Sequence, residues 1–400
     1  MPYRRARTTR HLIKASTLGL FAVLAGCSTD TGVQKPTPPA EGKAGISHSV
    51  CWSDLPGWPD QRANEAIASF ESQCQRMIKS SDQKAAWQSF CSALQSSQSA
   101  SQTTRLIEQT FTPYQVLGKH GETQGLITGY YEPTLHGSFT KTARYRYPLY
   151  KKPNDLLTID LGDRFPELKG ERVRGRLVGN KVVRYYDRKA ISQTPSPLAG
   201  HELMWVDNPD DAFFLEIQGS GRVLLENGQW AGVGYADQNG EPYYAIGREL
   251  IKNGELTPET VSLQTIRQWL SDHPDKADQL KNLNRSYVFF TLRDVKEENP
   301  RGSLNVPLTP ERSVAVDRSV IPLGTPLWIS TTLPNQQSYQ RIVLAQDTGG
   351  AIRGPVRADL FFGRGDYAEK MAGEMKQSGQ IYALMIKGSN KVADTHSCQR

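Results

Sequence analysis

The chain has 400 residues, 38% hydrophobic and 22% charged, with 34 Gly and 24 Pro, which excludes both a single small module and a globally disordered chain. Its formal charge of +7 points toward nucleic acid, yet five cations, Arg4, Arg5, Arg7, Arg10 and Lys14, precede residue 27 with no acid among them. Taking those five from the 48 Lys and Arg leaves 43 bases against 41 acids, a net of +2, so a nucleic-acid partner has no electrostatic footing.

In chain order, the basic start leads into an apolar run from Ala15 to Gly26, too short to span a bilayer and of secretory-signal type. The run ends in Leu24-Ala25-Gly26-Cys27, which resembles the lipobox of bacterial lipoproteins. Residues 1–26 are therefore expected to be a signal peptide, with Cys27 lipidated. Ser28 in place of Asp implies sorting to the outer membrane, and the Pro-containing, polar stretch 27–49 reads as a tether holding the protein in the periplasm.

Residues 60–117 are expected to be helical, with Asp60 and Asp82 as N-caps and apolar residues at three- and four-residue spacing up to Val116. Cys74 and Cys91 lie on the apolar faces of two such patterns. If the helices pack antiparallel, the two can join as a disulfide; otherwise they are buried thiols, and with Cys51 and Cys398 three pairings exist. From Gly125 to Gln229 short strands are expected: Leu126–Tyr131, Arg172–Tyr186 and Phe213–Leu225, with hairpin turns at Gly179-Asn180 and Asn227-Gly228. Helical patterns return over 243–253, stopped by Gly254, and over 258–282, interrupted by Pro274. Strands resume at Ser286–Leu292 and recur through Val314–Val316, Pro326–Ser330, Arg341–Ala345, Ala358–Phe362 and Ile381–Lys387. Many short strands with intervening turns argue for β-barrels rather than a doubly wound sheet.

The stretch Ala345–Gly363 carries the chemistry. It sets Asp347 at the end of one apolar strand and Asp359 at the start of the next, joined by a Gly-rich loop. A carboxyl among apolar neighbours, with a second carboxylate close by, has its pKa raised on both counts, as a general acid near neutral pH requires. The bland alternative is two aspartates capping turns beside Gly. Asp347-Thr-Gly349 also matches the aspartic-protease tripeptide, but its other copy, Asp30-Thr-Gly32, lies in the tether. No His-x-x-x-His or Cys-x-x-Cys pair offers a metal site, so neither metal nor cofactor is expected. Gly219-Ser-Gly221 is too short for a nucleophile elbow.

Asp347-Thr-Gly-Gly-Ala-Ile-Arg-Gly, Asp359-Leu-Phe-Phe-Gly and Ala315–Thr325, with Thr128-Gly-Tyr-Tyr-Glu-Pro133, Glu216-Ile-Gln-Gly-Ser-Gly221 and Asn284–Phe290, resemble in sequence and order the membrane-bound lytic murein transglycosylase A family with its three-aspartate domain. The resemblance covers roughly residues 50–390. It implies a mainly β fold with N-terminal helices: a double-psi β-barrel from 50–150 and 284–400, and an inserted β-rich domain over 151–283 forming the other wall of a glycan groove. It also implies cleavage of the β-1,4 bond between N-acetylmuramic acid and N-acetylglucosamine in peptidoglycan, leaving a 1,6-anhydro end. Asp359 matches the family's acid/base, Asp347 and Asp317 its supporting carboxylates, and Tyr130, Tyr131, Gln218 and Ser220 are expected along the groove. Implied partners are glycan strands, the outer membrane through Cys27, and cell-wall enzyme complexes. A hydrolytic glycosidase and a non-catalytic wall-binding lipoprotein are the rival readings.

Overall fold

The computed structural model describes residues 44–168, 173–295 and 299–389. Cys27, Asp30, the expected tether up to residue 43, and Cys398 lie outside them, whereas the last residues of the stretch read as tether, Gly45–Ser49, form a strand. Strand β1 (Gly45–Ser49) precedes helices α1 (Ile67–Ser80), α2 (Lys84–Leu94) and α3 (Ala100–Thr110), followed by β2 (Phe111–Leu117) and β3 (Gly125–Glu132). Next come β4 (Thr134–Ser138), β5 (Tyr147–Tyr150), β6 (Leu157–Ile159), β7 (Val173–Val178), β8 (Lys181–Val183), α4 (Arg188–Ile191) and β9 (Glu202–Val206). The middle continues through α5 (Pro209–Gln218), β10 (Ser220–Leu225), β11 (Trp230–Gln238), α6 (Gly247–Lys252), α7 (Leu263–Asp272) and α8 (Pro274–Leu283). The last part comprises β12 (Val288–Arg293), β13 (Ser313–Val316), β14 (Pro326–Thr332), β15 (Ser338–Asp347), β16 (Arg357–Arg364), α9 (Asp366–Glu374) and β17 (Lys376–Ile386). The fold is mixed, with more strand than helix.

The largest sheet runs β1-β2-β17-β14-β15-β13-β16-β3, and β3 also pairs with β17, so six strands form a closed circuit of hydrogen bonds. All six contribute to one enclosed cluster, among them Ile127, Val314, Leu327, Val343, Leu360 and Ile381. Side chains of opposite parity, such as Trp328, Ile342, Leu344 and Tyr382, face outward and pack against Phe70, Trp87, Phe90 and Leu94 of α1 and α2, as two-residue alternation requires. A six-stranded sheet, β12-β11-β10-β4-β9-β5, has its own core of Leu135, Met204, Val206, Val223 and Phe290. Its strands begin at Thr134 and end at Arg293, taking in residues on both sides of the expected 151–283 segment.

Four local expectations are corrected. The helical region ends at Thr110, and Phe111–Leu117 is a strand paired on both edges, because Pro113 cannot serve in a helix interior and the neighbouring aromatic and β-branched residues suit a sheet. Residues 213–218 form the end of α5 rather than a strand. Asn208 accepts from the N–H groups of Asp210 and Asp211, Pro209 occupies the first turn, and Gly219 closes the helix at φ 81°, a full set of start and stop signals. Asp60 is no cap but a buried carboxylate. Asp82 also precedes rather than caps α2, which starts at Lys84 after Gln83. The turns at Gly179 and Gly228 do join hairpins β7–β8 and β10–β11, and Cys74 and Cys91 form the disulfide between α1 and α2, their Cα atoms 6.0 Å apart.

Arg312, 3% exposed, fastens the helical segment to the closed sheet. Its guanidinium donates to Asp60 Oδ2 and Glu65 Oε2, both at 2.9 Å, and to the carbonyls of Arg62 and Ile342. Removing one partner of such a buried pair strands the other charge, a loss of about 3–5 kcal/mol.

Candidate active site

The site is a row of residues across four strands. Register places Thr128 of β3 beside Asp359 of β16, Asp359 beside Ala315 of β13, and Ala315 beside Asp347 of β15. These residues face away from the enclosed core. On β16, Ala358, Leu360 and Phe362 point inward, and Phe361 joins Tyr130, Ala315, Leu308 and Ile352 in a small outer cluster. The apolar residues next to Asp359 in sequence therefore lie behind it, and the apolar neighbours on its own face are those of the outer cluster, Ala315 across the ladder and Phe361 two residues on.

Asp347 reaches the row through a bulge. Val343 and Ala345 face the enclosed core, so simple alternation would bury Asp347 there too. Register instead steps from Val314–Ala345 to Ala315–Asp347, leaving Gln346 as an extra residue and turning Asp347 outward. Gln346, fully buried, donates to Ser69 O and Gln73 Oε1 at 3.1 Å, and accepts from Ser313 Oγ. Gly302 allows the next contact: a Cβ there would lie 2.4 Å from Gln346 O. With that close approach, Ser303 N and Oγ each donate to Asp347 Oδ1 at 2.9 Å. Thr348 N donates to the same oxygen at 2.8 Å, and Tyr130 OH to Oδ2 at 3.0 Å.

Burial pushes the Asp347 carboxyl above the ordinary range despite these bonds. Burial raises Asp359 as well, and the charge of Asp347 adds to it, against the opposing influence of Arg357 and the hydrogen bond from Thr128 Oγ1. Asp317 behaves differently. Burial would raise it, but bonds from Ser319 Oγ and N (2.6 and 3.1 Å) and Gly354 N (2.8 Å), with the charge of Arg353 nearby, hold it below the usual range. Asp317 is thus an ionised clamp on the loop between β15 and β16, whereas Asp359 is suited to hold a proton.

Of the other expected site residues, Tyr130 meets Asp347 and lies against Phe361, ring centroids 5.2 Å apart. Tyr131 is brought elsewhere. At 3% exposed it belongs to the enclosed core, where its phenol senses Glu369 and Arg267. Gln218 Oε1 accepts from Tyr131 N at 2.9 Å, tying the end of α5 to β3, and Ser220 opens β10 opposite Gly234. The helix end is held by Glu216, which receives both arms of the Arg188 guanidinium at 2.9 Å and Val288 N at 2.8 Å. Thr128, Ser303, Arg357 and Tyr243 are additions from the structure. Tyr243, between β11 and α6, is pushed up to about 12 by burial and by the charge of Asp359, which places the second sheet's side of the molecule in electrostatic reach of the row. Among the described residues no cluster of His, Cys, Asp and Glu could hold a metal ion, and no helix is long and apolar enough to cross a membrane.

Comparison with known proteins agrees with this geometry. The model of the MltA specific insert domain matches residues 126–291, and that of the 3D domain residues 312–385. The chain is 30% identical over 279 residues to membrane-bound lytic murein transglycosylase A of Vibrio cholerae, covering 67% of this chain and 68% of that protein. It spans about two thirds of the length of the curated relatives it matches. The crystal structure of membrane-bound lytic murein transglycosylase from Agrobacterium tumefaciens superposes with a TM-score of 0.73 at 31% identity, over 85% of this chain and 97% of that one. The E. coli MltA structure with bound chitohexaose gives 0.64 at 26% identity, over 88% and 99%.

If Asp347 acts on Asp359 through charge, Asp347→Asn removes one cause of the raised pKa. An acid is active while protonated, so activity falls as pH rises through its pKa. Lowering that pKa should move the alkaline limb of the pH–rate profile toward acid, with a slower maximum rate. An alkaline limb that stays in place would show that the two carboxyls are uncoupled.

Proposed function

Because the chain belongs to the membrane-bound lytic murein transglycosylase A family, we propose that it is a lytic transglycosylase whose Asp359 serves as both acid and base on a peptidoglycan strand. The bond cleaved is the β-1,4 link between N-acetylmuramic acid and N-acetylglucosamine. The observation that carries the assignment is the row itself, in which Asp359 faces Asp347 across the single intervening strand β13, so that burial and a like charge both favour its protonated form. Protonated Asp359 gives its proton to the glycosidic oxygen as an oxocarbenium-like state develops at the muramic acid's anomeric carbon. The resulting carboxylate takes the proton from that sugar's own 6-hydroxyl, which closes the 1,6-anhydro ring. The nucleophile is already attached to the substrate, so high effective molarity takes the place of a positioned water.

Hydrolysis canonically needs a second carboxylate to activate water or attack the sugar. Asp347 is ill-placed for that work, since its oxygens already receive bonds from Ser303, Thr348 and Tyr130. Asp347 tunes the acid, and Asp317 holds the loop that leads into the strand carrying it. The closed six-stranded circuit is a double-psi β-barrel whose strands come from 125–132 and 313–386, inside the expected 50–150 and 284–400. The insert about 151–283 supplies the other wall of the groove, where Tyr130, Gln218 and Ser220 meet sugar hydroxyls and acetamido groups. The chitohexaose held by the E. coli relative is a ligand of the same sugar chemistry.

Asp359→Asn should keep binding to isolated peptidoglycan and lose turnover by about a hundred- to ten-thousandfold, since an amide can neither give nor usefully take the proton. Pull-down and product release, measured side by side, separate the two, and a variant with near-normal turnover would take Asp359 out of this role. The protein is placed at the outer membrane by a lipid on Cys27, facing the periplasm and wall-remodelling enzymes. Cys27→Ala should move it from the detergent-extracted membrane fraction to the soluble fraction, still active, and a wild type that is soluble without detergent contradicts the anchor.

A further inference from the structure

Arg357 lies two residues before Asp359 on β16, a distance of about 6–7 Å along the strand, and both point away from the core face of Ala358 and Leu360. Parallel register sets Arg357 beside Leu126 just as it sets Asp359 beside Thr128. The guanidinium is half-buried, and its Nη1 donates to the carbonyls of Leu126 at 3.3 Å and Ala358 at 2.6 Å. Among the described residues no carboxylate lies in ion-pairing distance of it. Guanidinium has five donors and keeps its charge, so one nitrogen on two carbonyls leaves the rest of the fork for an anion. The negative charge that Arg357 senses within the protein is Asp359, and that group must be protonated to start the reaction. In its working form the site therefore holds an uncompensated cation next to its acid.

We propose that Arg357 receives a carboxylate carried on the 3-lactyl arm of the muramic acid at Asp359, and thereby distinguishes muramic acid from N-acetylglucosamine at the cleavage position. This rests on the function proposed above. The lactyl arm leaves the sugar ring two carbons from the anomeric centre that Asp359 serves, so a cation beside the acid can reach it. N-acetylglucosamine has no such arm. The carboxylate has two sources: the lactate itself in peptide-free strands, or a carboxylate of the stem peptide where the lactate is an amide.

The test measures binding in the Asp359→Asn background, where no turnover confuses the reading. Calorimetry compares three ligands: chitohexaose, a peptide-free muramic acid oligosaccharide, and the same oligosaccharide with its stem peptides. Adding Arg357→Gln should weaken a muramic acid ligand about tenfold or more, the scale of a charged hydrogen bond, and leave chitohexaose unaffected. Arg357→Lys, which keeps the charge and perturbs the fold less, should fall between. The ligand that loses affinity identifies the source of the carboxylate. Equal weakening of all three, or of none, in both variants overturns the proposal. Failure of the wild type to make anhydro ends would sink the proposed reaction instead, and would leave this binding comparison standing.

Discussion

Everything at the site depends on holding two carboxyls in one half-buried row without letting them touch. Ala315 is the spacer: it pairs with Asp359 on one side and Asp347 on the other. Two inter-strand spacings separate the acids by about 9–10 Å of backbone. That is too far for a shared proton, yet near enough in a low-dielectric site for charge to be felt. Ala315 is itself buried among Tyr130, Leu308, Ile352 and Phe361, so a larger residue there would push against that cluster and the row it supports. The closed sheet supplies the rigidity, because a residue paired on both sides cannot drift.

The bulge at Gln346 sets the cost of this arrangement, and the helices offset it. An extra residue in a strand leaves polar groups without ladder partners, and at a fully buried position each would be expensive. The Gln346 carbonyl instead accepts from Leu304 N at 3.0 Å, and the buried side-chain amide is satisfied by Ser69, Ser72 and Gln73 of α1 and by Ser313. Gln73 also donates to Gly324 O, and Arg312 binds Asp60 and Glu65 just ahead of α1. The N-terminal helices are thus part of the catalytic apparatus through Gln346, although none of them carries a site residue. On the other side, Glu132 at the end of β3 is buried with Arg222 of β10 and Arg293 of β12. Together with the Gln218–Tyr131 bond, this fixes the second sheet against the strand that carries Thr128 and Tyr130.

Much of this was legible in the residues. Asp347 and Asp359 stand out as carboxylates at strand ends flanking a Gly-rich loop, the two hairpin turns carry their Gly and Asn, and apolar spacing on two helices allows a Cys74–Cys91 pair while leaving buried thiols equally open. What escaped detection depends on tertiary context. Alternation along β15 puts Asp347 on the wrong face, and only the register with β13 reveals the bulge. Residues 213–218 are apolar with either period, and it is the Asn208-Pro209 cap ahead of them that decides for helix. Tyr130 and Tyr131 look equivalent in the sequence, yet adjacent strand residues must point to opposite faces, and one of them is core. Asp60 and Arg312 meet across 252 positions, a separation at which no local pattern speaks.

In the proposed reaction one carboxyl carries out every proton transfer and no water enters. Digestion of peptidoglycan in heavy-oxygen water, with the new ends analysed by mass spectrometry, addresses this directly. The mechanism requires muramic acid ends that lack one water and carry no label. Heavy oxygen at the newly formed end would show that water attacks the sugar, and would make the enzyme a glycosidase.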